Sequence, residues 1–245
     1  MLSLFTALSL TAASVAYADP SAAELLAAVD RNMISAARSA SLEMTVTKGK
    51  RTKVYAMDSF SRGQDESAIA FSAPARDQGT KMLKRGGELW MYMPSIEKVQ
   101  KISGHMLRQS MMGSDLSYED ILQATQLQQL YSAEVVGAED IDGRTCWKLE
   151  LTANDSSVAY PRRVSWIDQE HTVPVREELY ALSGTLLKTW NLSEVQTFAD
   201  GRNFPTRWLV EDRLQAGSQT TLVFNSLDFE VALEDEVFSQ RWLER

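Results

Sequence analysis

From Ser41 onward the apolar residues of this chain recur at every second position. In SLEMTVT, Leu42, Met44 and Val46 alternate with Glu43, Thr45 and Thr47. A period of two sends one residue set to each face of an extended strand, so this habit constrains the fold more than any other feature. It continues through TKVYAMDSFSR, ESAIAFSAP, KMLKRGGELWMYMP, AEVVGAEDIDGRTCWKLELTA, RRVSWIDQEHTVPVREELYA, TLLKTWNLSEVQTFADGRNFPTRWLVEDRLQ and TTLVFNSLDFEVAL. Gly86-Gly87 and Asp142-Gly143 join paired runs as hairpin turns, and Asp200-Gly201 marks another turn. The pattern predicts about ten strands. A single sheet of that size has to curl or split. Faces rich in Leu, Met and Trp cannot stay wet, so one face must be covered. A curled antiparallel sheet with helices on its concave side satisfies both demands, and a pocket forms wherever the helices leave the concavity unfilled.

Three segments depart from period two. In SAAELLAAVDRNM, Ser21 can cap a helix, Glu24 follows three residues on, and Leu25, Leu26 and Val29 fall at helical spacing. A helix is expected from about 21 to 34. A helical insert is expected near 115–124, with Ser114 or Asp115 as its cap and Glu119 and Asp120 near the positive end of its dipole. The end, DEVFSQRWLER, reads as a short helix or turn packing Phe238, Trp242 and Leu243 inward.

The first eighteen residues, MLSLFTALSLTAASVAYA, carry no charge and end in Ala16-Tyr17-Ala18, a small-x-small site before Asp19-Pro20. They read as a cleaved secretory signal lacking the usual basic start, and are too short for a membrane span of about 20 residues. The expectation is an exported protein with one domain over residues 19–245. No Ser/Gly linker, charge block or repeat divides the chain.

Composition and motifs exclude several functions. The net charge of −8 speaks against nucleic acid, which calls for a basic patch. There is no nucleophile elbow, phosphate loop, zinc-helix motif or dinucleotide fingerprint, so neither an enzyme nor a cofactor is expected. The two histidines, His105 and His171, read as surface residues, and no metal-ligand spacing surrounds them. Cys146, the one cysteine, alternates with polar neighbours in RTCWKLEL and reads as a buried small hydrophobe. Lys81, Lys84, Arg85, Lys98 and Lys101 form a basic stripe. It reads as a solvated face, with attraction of an anionic headgroup or acidic partner as the alternative.

The apolar side of the sequence is more telling. Leu89, Met91 and Met93 share one strand face and Trp90 and Tyr92 the other, so that strand should be covered on both sides. Trp166, Trp190 and Trp208 sit in separate strands. Ten methionines supply unbranched, polarizable side chains suited to a surface that accepts varied apolar shapes. Four apolar residues, Met106, Leu107, Met111 and Met112, cluster in HMLRQSMMGSDLSYEDIL between Gly104 and Gly113.

The segment LWMYMPSIEKVQKISGHMLRQSMMGSDLSYEDIL resembles the outer-membrane lipoprotein-sorting protein family, the LolA/LolB-like group. It is most similar to the branch associated with RND-type exporters. The features that carry the resemblance are Trp90, Tyr92 and Pro94, a basic stretch, then Met112-Gly113-Ser114-Asp115 running into Tyr118-Glu119-Asp120, and the chain end FSQRWLER. The resemblance implies an incomplete, strongly curved antiparallel barrel with helices plugging its concave face. It implies a monomeric periplasmic carrier that shields the acyl chains of a lipoprotein or lipid and exchanges them with an inner-membrane RND-type exporter. A non-transporting adaptor of such an exporter is the alternative. No individual cargo-binding residue carries over from the family. From the residues themselves, Met91, Met93, Met106, Leu107, Met111, Met112, Trp166 and Trp190 are the expected cavity or lid residues. Gly104 and Gly113 are the expected hinges of a mobile lid over 105–114, with a static plug as the other possibility.

Overall fold

The structure is a computed structural model that describes residues 19–123 and 127–245. The expected signal, residues 1–18, lies outside the described residues, as does the end of the expected helical insert. Among the described residues thirteen strands form one antiparallel sheet. In chain order they are β1 (Arg38–Lys48), β2 (Arg51–Arg62), β3 (Glu66–Ala73), β4 (Lys81–Arg85), β5 (Glu88–Met93), β6 (Lys98–Ile102), β7 (Tyr131–Ile141), β8 (Arg144–Ala153), β9 (Arg162–Asp168), β10 (Pro174–Tyr180), β11 (Leu186–Thr197), β12 (Asn203–Asp212) and β13 (Ser218–Asp228). The spatial order runs from β6 back to β1, across to β13, then back to β7. The sheet is thus two meanders joined by the β1–β13 pair, whose register runs from Ser39↔Asp228 to Lys48↔Ser218. β6 and β7 remain free edges, so the barrel is unclosed. The strand total exceeds the ten expected. Most clearly, β6 is polar enough to read as part of a basic loop.

The chain crosses from the β6 edge to the β7 edge over the concave face. The crossing contains 3-10 turns at Gly104–Arg108 and Met111–Gly113, then α2 (Tyr118–Gln123) and α3 (Leu127–Leu130). The N-terminal helix α1 (Ala22–Met33) begins as expected, with Ser21 and Glu24 forming a reciprocal capping box. Its apolar stripe of Leu25, Leu26 and Val29 packs against Tyr131, Leu149, Leu151 and Ile167, on the concave side of β7–β9. α1 therefore covers one half of the concavity and the crossing segment covers the other.

The C-terminal turn Asp235–Phe238 and α4 (Gln240–Leu243) do something different. Phe238 and Leu243 pack with Ala68, Leu83, Trp90, Tyr92 and Val99 on the opposite, outer face of β3–β6. Each fully buried side chain of this size contributes about 1.5–3 kcal/mol. The helices are therefore not confined to the concave side. The double covering expected for β5 is present: Leu89 and Met91 face the concave core while Trp90 and Tyr92 lie under the chain end.

Candidate functional site

Strand alternation sends a continuous apolar set inward from β1 to β5 and from β12 and β13. Leu42, Met44, Tyr55, Met57, Phe71, Met82, Leu89, Met91, Val210 and Leu222 form the main buried cluster. The crossing segment seats Met111, Leu116, Tyr118 and Leu122 in it, with Met93, Met106, Leu107, Met112, Trp190 and Trp208 packed at its border. Seven of the eight expected apolar site residues thus meet in one place. Trp166 does not join them. In β9, Arg163, Ser165 and Ile167 face inward, so parity turns Trp166 outward. There it packs with Cys146, Val164 and Val175, and its indole N–H donates to Glu139 Oε2 at 3.0 Å.

The Met-rich segment is anchored chiefly along its second half. Met111 is 3% exposed. The Tyr55 hydroxyl donates to the Met112 carbonyl at 2.9 Å, and the Asp115 N–H donates to Thr220 Oγ1 at 2.9 Å. The Asp115 carboxylate accepts from Ser218 Oγ, and from Thr220 Oγ1 at 2.7 Å. Asp115 thus ties the segment to β13, and the Ser114 hydroxyl donates to the Met111 carbonyl at 2.7 Å and accepts from the Leu116 N–H at 3.2 Å within the segment, so neither caps a helix. The cap is Ser117, whose hydroxyl accepts from the Asp120 N–H while the Asp120 carboxylate accepts from the Ser117 N–H. The sequence reading placed the cap too early because the polar residues at 114 and 115 look the same as a cap until their partners are known. Residues 103–110 are more exposed, and none of η-turn residues 104–108 is buried. Both expected hinge residues hold backbone conformations that suit glycine, with φ of +57° at Gly104 and +77° at Gly113.

Asp120 is a junction. Besides capping α2, it accepts from Tyr160 Oη at 2.7 Å and forms an ion pair with Lys188 of β11 at 2.6 Å. Burial and the adjoining Asp120 carboxylate push the Tyr160 hydroxyl far above its ordinary range. A second inward ion pair, Arg163–Glu177 at 2.6 Å, lies nearby.

Between α1 and the crossing segment the concave face is not filled. One cavity of about 220 Å³ is floored by Leu42, Met57, Ile69, Trp190, Trp208 and Phe224 and roofed by Met33, Met111, Leu116 and Ile121. A second of about 100 Å³ lies under Leu26 and Val29 of α1, against Ile167, Leu179 and Leu192. Met33, Asp120, Trp190 and Trp208 line both, so the two adjoin. Together they reach the small end of ligand pockets, which run roughly 300–1,000 Å³. The floor is aromatic: Trp190 and Trp208 lie 6.2 Å apart, Trp208 and Phe224 5.0 Å, and Phe204 and Phe224 5.3 Å. A larger hollow of about 740 Å³ on the outer face is lined by Arg62, Asp65, Glu66, Arg85, Glu88 and Trp90. We favour the inner cavities as the site, because the outer hollow is an open, mostly charged depression of the kind any solvated surface carries.

Polar groups sit at one end of the larger cavity. Arg38 borders it beside Ser35, Ser59, Ser61 and Ser67. Burial, with the neighbouring Arg202 guanidinium, depresses the Arg38 guanidinium to about 10. Lys84 is 3% exposed, with its ammonium donating to the Gln64 carbonyl at 3.0 Å. It shares the inward face of β4 with Met82, whereas Lys81 packs on the outer face over Trp242. The basic stripe therefore splits between two faces.

Arg38, Trp208 and Phe224 were missed as site residues. Trp208 and Phe224 had a signal, since parity with Val210 and Leu222 puts them inward. Arg38, the first residue of β1, lies ahead of the alternation that becomes legible at Ser41 and had none. His105 is exposed, as expected. His171 is only partly buried, with Nδ1 2.9 Å from Asp168 Oδ2. Cys146 is fully buried, and burial and the nearby Asp168 push its thiol up to about 11, which suits an inert packing residue.

A protein-family model described as "-like: Uncharacterized protein" matches residues 63–245. No curated protein matches the chain. Among solved structures, a DUF1329 family protein from Desulfovibrio piger is 29% identical, with a TM-score of 0.83 over 89% of this chain and 96% of that one. The LolA superfamily protein NE2245 from Nitrosomonas europaea is 26% identical, with a TM-score of 0.77 over 91% of this chain and 100% of that one. A putative outer membrane lipoprotein-sorting protein domain from Vibrio parahaemolyticus, 24% identical, covers 89% of this chain and 96% of its own with a TM-score of 0.79. The family model spans most of the chain, so the chain belongs to that family, and its fold is that of the LolA superfamily.

Proposed function

We propose that this protein is a periplasmic carrier that shelters an acyl chain of a lipoprotein or lipid in the cleft between α1 and the crossing segment. The observation that carries this reading is an apolar, aromatic-floored space left open on the concave face of a sheet otherwise closely packed. Each methylene withdrawn from water contributes about 0.8 kcal/mol, so a long chain binds such a space without specific contacts. Similarity to a LolA superfamily protein and to a lipoprotein-sorting domain supports the same reading. Among the described residues, no helix is long and apolar enough to cross a membrane.

In this reading the two halves of the Met-rich segment act differently. Residues 111–122 are a fixed wall, tied by Tyr55, Ser218 and Thr220, and residues 104–109 are a rim that moves to admit the chain, turning at Gly104. Release comes from a partner that competes for the chain or stabilises the closed rim. An inner-membrane RND-type exporter is the proposed partner, and the carrier works as a monomer. The test is an organic extract of the purified protein analysed by mass spectrometry. Stoichiometric acyl species are expected. Their absence, together with no binding of added fatty acid, would refute the carrier reading and leave the adaptor.

A further inference from the structure

Among the described residues, four buried side-chain polar atoms lack a hydrogen-bond partner: Ser35 Oγ, Arg38 Nε, Trp190 Nε1 and Arg176 Nε. The first three belong to residues lining the same 220 Å³ cavity. All three are groups that donate: a guanidinium N–H, an indole N–H and a hydroxyl. Buried donors without acceptors cost about 1–3 kcal/mol each, and such groups call for an explanation. Three in one apolar space share a single explanation more economically than three separate ones.

The charges around the cavity sharpen this. Its acidic lining residues are already matched. Glu66 bonds Arg62 at 2.7 Å and lies 3.7 Å from Arg85, and Asp120 bonds Lys188. Among the described residues Arg38 has no ion-pair partner. The charged group that acts on it is another cation, Arg202, which is itself occupied by Asp200 and by the Asn32 and Ile34 carbonyls. The Arg38 guanidinium instead lies 5.4 Å from the centre of the Phe204 ring, the aromatic that continues into Trp208 and Trp190. A second cation, Lys84, lines the same space. A half-buried arginine with a buried, unpaired Nε–H, next to hydroxyls and at the border of an aromatic floor, is suited to an oxyanion delivered by a ligand.

We infer that the larger cavity selects amphiphiles with an oxyanion head, a carboxylate or phosphate, which Arg38 receives with Ser35 as a further donor while the acyl chain lies along Trp208, Trp190, Met57 and Met111. This rests on the carrier reading and adds to it a chemical class of cargo. It also moves the attraction for anions from the outer basic stripe to the interior.

The experiment measures binding of decanoate, decyl phosphate, decanol and inorganic phosphate to the full mature chain by calorimetry at pH 7. Decanoate and decyl phosphate are expected to bind on the order of tenfold or more tightly than decanol, the ratio given by one charge-assisted hydrogen-bond set. Inorganic phosphate alone is expected not to bind measurably. Arg38→Gln should bring both anionic ligands down to the affinity of decanol, and Arg38→Lys should retain part of the preference. Thermal melting of each variant checks that it folds. If Arg38→Gln does not fold, Ser35→Ala must lower the anion-to-decanol ratio by itself. Equal binding of decanol and decanoate, or an unchanged ratio in the variants, overturns the headgroup inference and leaves the carrier reading standing. Inorganic phosphate binding as tightly as decyl phosphate makes this a free-anion site and overturns the amphiphile. Binding by none of the four overturns both readings.

Discussion

The concave face is covered in two ways. Over Met44, Met82 and Met91 the sheet is sealed: this methionine-lined floor meets Tyr118 of a segment tied down by Tyr55, Ser218 and Thr220. A few residues away, under Met33 and Ile121, the same sheet meets Trp190 and Trp208 and leaves open space with unmatched donors around it. Apolar residues line both, so hydrophobicity does not separate them. The difference lies in the polar ties. A short set of buried hydrogen bonds decides which part of the concavity is wall and which part is cleft.

The largest effect is expected where the two regions join. Lys188→Met leaves the Asp120 carboxylate buried without its ammonium, which should cost about 3–5 kcal/mol in chemical denaturation. A loss below about 1 kcal/mol would show that Asp120 does not hold the junction. Next, Met111→Ala should cost about 2–5 kcal/mol, whereas Met106→Ala, at the exposed rim, should stay within about 0.5 kcal/mol. Similar losses at the two positions would erase the distinction between wall and rim. Thr220→Val removes both hydrogen bonds that its hydroxyl makes with Asp115, to the carboxylate and from the N–H, and should cost about 1–3 kcal/mol. In hydrogen exchange it should make residues 111–122 open locally as fast as 104–109, which in the unaltered protein exchange faster. Gly113→Ala places a side chain at φ +77° with no atom near the new Cβ, so its cost is conformational only, about 1 kcal/mol.

The smallest effect lies away from the cleft. Burial opposes ionisation of Asp168, but the Glu170 N–H, His171 and Arg144 outweigh it and hold the carboxyl below its usual value of 3.8. A depressed carboxyl stabilises the fold above its unfolded pKa, and that stability is lost as pH falls through the folded value. Asp168→Asn should therefore flatten the acid limb of stability below about pH 4. It should not alter acyl binding, since Asp168 lies outside both cavities.

Much of this was legible from alternation. Period two gave the strands, the turns and both coverings of β5, and Ser21 with Glu24 marked the first helix to within one residue. The Met-rich segment stood out for its composition, and it does border the cleft. What the one-dimensional pattern lacked was pairing. Trp166 and Trp190 look alike in sequence, and only the parity of β9 against its inward neighbours sends one outward. Asp115 resembles a helix cap, but its partners are Ser218 and Thr220, a hundred residues away. Lys84 resembles its basic neighbours until the face of β4 is known. For the same reason the Met111 side chain is a poor site for a charged substitution meant to spare the fold: it is part of the core.

The most direct test is a crystal structure with decanoate brominated at its terminal carbon. The carrier account predicts anomalous density between Trp190, Trp208 and Met111, beneath the wall segment. Density only in the outer hollow by Arg62 and Arg85, or none at saturating ligand, would contradict it.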